Sequence, residues 1–329
     1  MTKPQPHSPR RRMVLGVGLA ALTAGPLQLA RADNNVIRFI LPNAAGSGVD
    51  AITRGAQPAL TKALNATVVI ENQPGAGGVL GLASLARSAP DGKTLGIVSN
   101  NVVIFPSILK SLPFDMPGDF TPIAIIGATP MVLVVNPSKV SARTSPEFIA
   151  LLKSRQGELN FGSGGNGTIL HLATELYLEA AQARAKHIPY KGVGPMVSDL
   201  MGGQIDFATV ALPSVQAQIE AGTIRAIGMM TPERSPSAPQ IPTIAEQGLA
   251  NFSVDAWLGV IGPKGMNSES VKRIHGAVVA AFDDPAVKDL MAKQGNTIKV
   301  STPEQAQQVF KSELLKYAAL VRRVGLQPQ

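Results

Sequence analysis

The chain has 329 residues, 45% of them hydrophobic and 16% charged, enough to bury more than one core and too apolar and varied for a disordered, collagen-like or coiled-coil protein. Its formal charge of +8 is concentrated at one end: Lys3, Arg10, Arg11, Arg12 and Arg31 precede any acidic residue, and without them 25 basic residues face 22 acidic ones, a net +3. No basic run interleaved with aromatics remains, so nucleic acid is not an expected partner. The absence of cysteine excludes disulfides, thiolate metal sites and a cysteine nucleophile.

Residues 1–32 read as an export signal: a basic head, PRRRM, a moderately apolar run, VLGVGLAALTAGPLQLA, and a small-x-small cleavage site at Ala30-Arg31-Ala32. The apolar run is Gly-rich, contains Pro26 and is too short for a membrane span. Arg11-Arg12 preceding Met-Val-Leu resembles a twin-arginine signal, with a general secretory signal as the alternative, and either implies a periplasmic protein cleaved near Ala32.

Beyond the signal, VIRFIL predicts a strand, NAAGSGVD a turn, and the spacing of Ile52, Ala56, Leu60 and Leu64 a helix. TVVIE is a second strand closed by NQPGAGG, LGLASLARSAP a helix, and TLGIVSN a third strand. This alternation, with glycine-rich strand-to-helix turns, predicts a parallel sheet covered on both faces. FTPIAIIGATPMVLVVNP reads as two strands interrupted at Gly127 and Pro130, a crossover into a second α/β unit. That unit begins with the helix SPEFIALLKSRQG, for which Ser145 is the expected cap and Pro146 a first-turn residue. LNFGS, HIPYKG, QIDFATVAL and TIRAIGMM follow as strands, separated by helices at 168–183, GPMVSDLMGG and SVQAQIEAG. SVDAWLGVIGP is the expected return crossover, and three C-terminal helices are expected to pack on the first unit. The expected division is 33–130 plus 254–329 for domain 1 and 131–253 for domain 2.

The stretch FGSGGNGTILH places small and hydroxyl residues at a helix start, where four backbone N–H groups lack intrahelical partners and the helix dipole favours an anion. An ordinary capped turn is the bland alternative for one such stretch. NAAGSGVD occupies the same position after the first strand of the other unit, so the pair reads as two mouths for a carboxylate held by uncharged dipoles. Competing chemistries fit less well. Phe161 stands where a GxSxG elbow needs glycine, so Ser163 does not make that motif. GAGGVL departs from the dinucleotide fingerprint at Leu80, and no acidic residue ends the following strand. No phosphate loop occurs, and His171, His187 and His275 lack metal-like spacing, so no cofactor and no metal are expected.

The motifs VVIENQPGAGGVLG, APDGKTLG, LPFD with DFTPIA, FGSGGNGTILHLATEL, HIPYKGVGPMVSDLMGGQIDF, IPTIAEQG and WLGVIGPKG occur in order over nearly all of the chain after the signal. In this the chain resembles the tripartite tricarboxylate transporter receptors, the Bug-type (TctC-like) extracytoplasmic solute-binding proteins. The resemblance implies an α/β, type II periplasmic-binding-protein fold, two Rossmann-like domains joined by crossover strands with the ligand in the cleft between them. It implies a monomeric binding protein, not an enzyme, that delivers a small organic carboxylate to the membrane subunits of a tripartite transporter. Carried over by position, the ligand-binding residues are Ala45, Gly46, Ser47 and Gly48 in the first turn and Ser163, Gly165, Asn166, Gly167 and Thr168 in the second. Asn43 and Asn101 join them, and Thr209 and Ala211 are candidates because α/β sites gather beyond the carboxyl ends of strands. Ala45 and Ser47 depart from the family's Pro-Gly-Gly turn, and Phe105-Pro106 from its Asn-Pro pair, a change that would favour an aromatic or aliphatic carboxylate if that region lines the cleft. Asp206 is expected to be structural. Two alternatives stay open: presentation of the ligand to a membrane sensor kinase, and a hydrolase or isomerase using Ser163 and His171.

Overall fold

The computed structural model describes residues 35–326 apart from Asp255, so the export signal falls outside the described residues. In chain order the elements of the first half are β1 (Val36–Leu41), α1 (Gly48–Leu64), β2 (Thr67–Asn72), α2 (Val79–Ala86), β3 (Thr94–Ser99), α3 (Asn101–Ile108), β4 (Phe120–Thr129) and β5 (Met131–Val135). Then come α4 (Ser145–Ser154), β6 (Asn160–Ser163), α5 (Ile169–Ala181), β7 (Lys186–Pro189), α6 (Val193–Met201), β8 (Phe207–Ala211), α7 (Gln216–Glu220) and β9 (Arg225–Met229). The chain returns through β10 (Ala256–Pro263) to α8 (Ser268–Asp283), α9 (Pro285–Lys293), β11 (Thr297–Ile298) and α10 (Pro303–Arg323).

Two sheets form, in the orders β2-β1-β3-β10-β4-β11 and β7-β6-β8-β5-β9. In each, three parallel strands are followed by one antiparallel crossover strand, β10 in the first and β5 in the second, which separates them from the next. The two lobes therefore share one strand pattern without sharing sequence, and β1 and β6 occupy equivalent places. The glycine-rich turns that follow these two strands are thereby equivalent in topology.

The lobes meet where the strands change sheet. Pro130 lacks an N–H to extend a ladder and separates β4 from β5. Gly127 does not interrupt β4, contrary to the sequence expectation; it pairs with Leu258 and Ile298, and a Cβ there would overlap the Thr297 carbonyl, so glycine lets β11 approach. The return path lies alongside, with Met230 N donating to Met131 O at 2.8 Å and Val254 N to Met230 O at 2.8 Å.

The helix ends carry their own signals. Ser47, Thr168, Asn267 and Thr302 cap α1, α5, α8 and α10, and the last forms a reciprocal capping box with Gln305. The cap of α4 is Thr144 and not Ser145. Ser145 is buried: its N–H donates to Gln247 Oε1 at 2.8 Å and its hydroxyl lies 3.0 Å from the Tyr177 hydroxyl. Helix α3 is an addition to the elements expected from sequence. Its run NVVIFPSI is buried at Val102, Val103, Ile104, Phe105 and Ile108, so it has no polar face for a periodicity to reveal.

Candidate functional site

The first turn, Asn43 to Ser47, is braced by Asp50. The Asp50 carboxylate accepts from Gly46 N at 2.9 Å, Arg54 Nε at 2.9 Å and Asn72 Nδ2 at 2.9 Å, while Asn72 Nδ2 also donates to Asn43 O at 3.1 Å. Burial pushes the Asp50 pKa up, but the hydrogen bonds from Gly46, Arg54 and Asn72 together outweigh it and hold the group below the ordinary carboxylate range. Ser47 Oγ accepts from Asp50 N at 3.3 Å, and Gly46 has φ +79°, which an L side chain tolerates poorly. Ala45, Gly46 and Gly48 are exposed, and a Cβ at Gly46 or Gly48 would meet open space. Among the described residues nothing accepts from the N–H groups of Gly48 and Val49, the first two of α1.

The second turn is more self-contained. Ser163 is fully buried; its hydroxyl lies 3.0 Å from Gly165 O, accepts from Gly165 N at 3.1 Å and stands 2.6 Å from His187 Nε2. Gly167 N donates to His171 Nδ1 at 3.0 Å, which requires that nitrogen to be unprotonated. Thr168 Oγ1 donates to Gly165 O at 2.9 Å and accepts from His171 N at 3.4 Å. Asn166 is exposed on the turn. His171 and His187 stack with ring centroids 3.7 Å apart, and Phe161 stacks on His187 at 4.9 Å. Burial, reinforced by the neighbouring His171, pushes the His187 pKa down to about 3.

Asn101 links the lobes. It opens α3 in the first lobe, and its Oδ1 accepts from Ile169 N, the first N–H of α5, at 2.8 Å. The start of α3 is itself fixed: Asn100 N donates to Trp257 O at 3.2 Å, and Asn100 Nδ2 to the Tyr317 hydroxyl at 3.0 Å. At the other end of α3, Ile108 packs against Gly167.

Of the residues expected at the site, Gly167, Thr168 and Asn101 are thus brought together across the lobes, with Asn166 and Gly165 beside them, while Asn43, Ala45, Gly46, Ser47 and Gly48 form a separate turn on β1. Thr209 is fully buried, its hydroxyl 2.8 Å from that of Thr174 beneath α5, and Ala211 lies half-buried next to the crossover, where Leu212 N donates to Pro130 O at 2.9 Å. Phe105 is buried and packs near Gly77, a core position. Asp206 has the structural role expected of it, accepting from Asn160 N at 2.7 Å. The partner of Ser163 is His187, which sequence spacing did not single out; His171 faces Gly167 and, through Nε2, Glu175 at 3.5 Å. The parallel register that sets His187 opposite Phe161 is the signal that finds it. An open cavity of about 560 Å³ lined by Leu178, Glu179, Gln182 and Arg184 lies at the far end of α5, away from both turns. No group of three or more His, Asp or Glu side chains suited to a metal ion occurs among the described residues.

The profile of the "Tripartite tricarboxylate transporter family receptor" matches residues 52–326. Protein BugT of Bordetella pertussis is 33% identical over 319 residues, spanning 95% of this chain and 98% of that protein. The structure of the periplasmic binding protein BugD superposes with a TM-score of 0.81 at 28% identity, covering 89% of this chain and 98% of that one. R. palustris Rpa4515 with adipate superposes with a TM-score of 0.84 at 25% identity, covering 89% and 98%. The two-lobed fold is that of the type II periplasmic binding proteins, and the chain belongs to the tripartite tricarboxylate transporter receptor family.

Proposed function

We propose that the chain is an exported, periplasmic, monomeric receptor that captures a small organic carboxylate between its lobes and delivers it to the membrane subunits of a tripartite tricarboxylate-type transporter. The observation that carries this reading is the equivalence of the two mouths. Each follows the middle one of the three parallel strands of its sheet, β1 or β6, and opens onto a capped helix, and Asn101 reaches from one lobe to the start of α5 in the other. Backbone N–H groups and the positive end of a helix suit an oxygen anion without a paired cation. Adipate, a dicarboxylate, accompanies the similar protein Rpa4515. The basic, apolar and small-x-small succession of residues 1–32 supports export. Domain 1 (33–130 and 254–329) and domain 2 (131–253) would close by bending at the paired crossovers.

A binding role is favoured over hydrolysis because Ser163, the one hydroxyl within reach of an imidazole in the second turn, is fully buried and held by Gly165. The test is thermal denaturation of the purified protein against mono-, di-, tri- and aromatic carboxylates with the matched amides. A ligand specific for the folded state raises the melting temperature by mass action, by an amount equivalent to ~2.7 kcal/mol at a hundredfold excess over Kd. A shift with an acid and none with its amide is the expected result; equal shifts with both would remove the carboxylate from the reading.

A further inference from the structure

The N–H groups around the α5 mouth differ in where their acceptors come from. Gly165 N is satisfied by Ser163 Oγ, Gly167 N by His171 Nδ1, and His171 N by Thr168 Oγ1, all from the turn or the helix it starts. Ile169 N is satisfied by Asn101 Oδ1 from the first lobe. Separation of the lobes would leave those three hydrogen bonds intact and strip Ile169 N of its acceptor. The same movement would lift Ile108 from Gly167.

We propose that Asn101 is an internal surrogate for the ligand's carboxylate: its carboxamide oxygen holds Ile169 N in the closed protein, and an incoming carboxylate takes that donor in its place. The proposal rests on the reading of the α5 mouth as part of the carboxylate grip. Its chemistry follows from the acceptors. A neutral amide oxygen satisfies the first N–H of a helix, whereas a carboxylate makes a stronger, charge-assisted bond there and also meets the positive end of the helix. Displacement is therefore downhill, but the ligand gains only the difference between the two acceptors. Asn101 acts as a positioning residue that latches the lobes and lowers apparent affinity, rather than as a ligand contact.

The chain has no cysteine, so a pair introduced as Lys62→Cys on α1 and Lys153→Cys on α4, both exposed, can be spin-labelled cleanly. Interlobe distances without added carboxylate are then compared for Asn101, Asn101→Ala and Asn101→Asp. Asn101→Ala is expected to shift the distribution to longer distances, and Asn101→Asp, which keeps the acceptor, to leave it closed. Titration with adipate gives the second readout: about tenfold tighter binding for Asn101→Ala, equivalent to ~1.4 kcal/mol, and weaker binding for Asn101→Asp, whose charge repels the incoming anion. An unchanged distribution for Asn101→Ala, or weaker adipate binding by that variant, overturns the proposal. If the unsubstituted protein binds no adipate, that result bears on the choice of ligand, and the distance comparison still decides whether Asn101 is a latch.

Discussion

Ile108 of the first lobe is seated on Gly167 of the second so closely that a Cβ at Gly167 would overlap the Ile108 Cδ1 methyl. Gly167 also has φ +69°, so an alanine there carries a backbone cost of about 1–2 kcal/mol in addition to the overlap. A double-mutant cycle separates the two. The backbone cost is common to both arms, so Gly167→Ala should be less destabilising in an Ile108→Ala background than alone, by about 1 kcal/mol or more in urea denaturation. Additive effects would mean that the lobes do not touch here in solution.

The burial of His187, stacked on His171, predicts an acid limb to stability. His187 has an ordinary value of 6.5 and about 3 when folded, so between these pH values the unfolded chain binds a proton that the folded one does not. Stability from this group is intact above pH 6.5 and declines as pH falls toward about 3, with a slope of at most ~1.4 kcal/mol per pH unit, lessened by partial solvent access. Replacing His187 with Gln should flatten the profile across that window. A parallel profile for the variant would show that the imidazole is protonated in the fold without penalty.

Asp50 gives a second, lower limb. Its folded pKa lies below the ordinary 3.8, so its contribution is present above about that value and disappears as pH falls through the depressed one. Asp50→Ala should cost about 1.5–3 kcal/mol at neutral pH, the range for a hydrogen bond to a charged group, and should leave the His187 window untouched. Hydrogen exchange at Gly46 N, which the carboxylate holds, should accelerate in the same variant.

Much of the framework was legible because its signals are local. Helix α1 announces itself by the spacing of Ile52, Ala56, Leu60 and Leu64, all buried, and β1, β3 and β6 are bounded by turn residues. Helix α3 was not, since NVVIFPSI is buried on nearly every side and carries Pro106, so it offers neither amphipathic period nor clean propensity. What α3 contributes is long-range: Asn101 meets a partner 68 residues away in the other lobe. The sequence shows the backbone donors of the α5 mouth, but not their internal acceptors, which depend on pairings such as that of β6 with β7, which brings His187 against Ser163. Thr209 shows the limit of topological reasoning: the carboxyl-terminal half of a strand can still turn its side chain under a helix.

The ladder between β4 and β10 ends with Thr129 opposite Ala256. These antiparallel partners flank the whole second lobe, so in terms of chain connectivity that lobe is an insertion at the tip of a β-hairpin. The first lobe could be rejoined across the gap by a two-residue turn of the Asn-Gly kind, which suits hairpin twist. The second lobe is one uninterrupted segment that includes its own crossover strand, β5. Modular exchange of the second lobe between relatives therefore requires only two splice points, side by side on neighbouring strands, and would transplant the β6–α5 turn while preserving the β1–α1 turn.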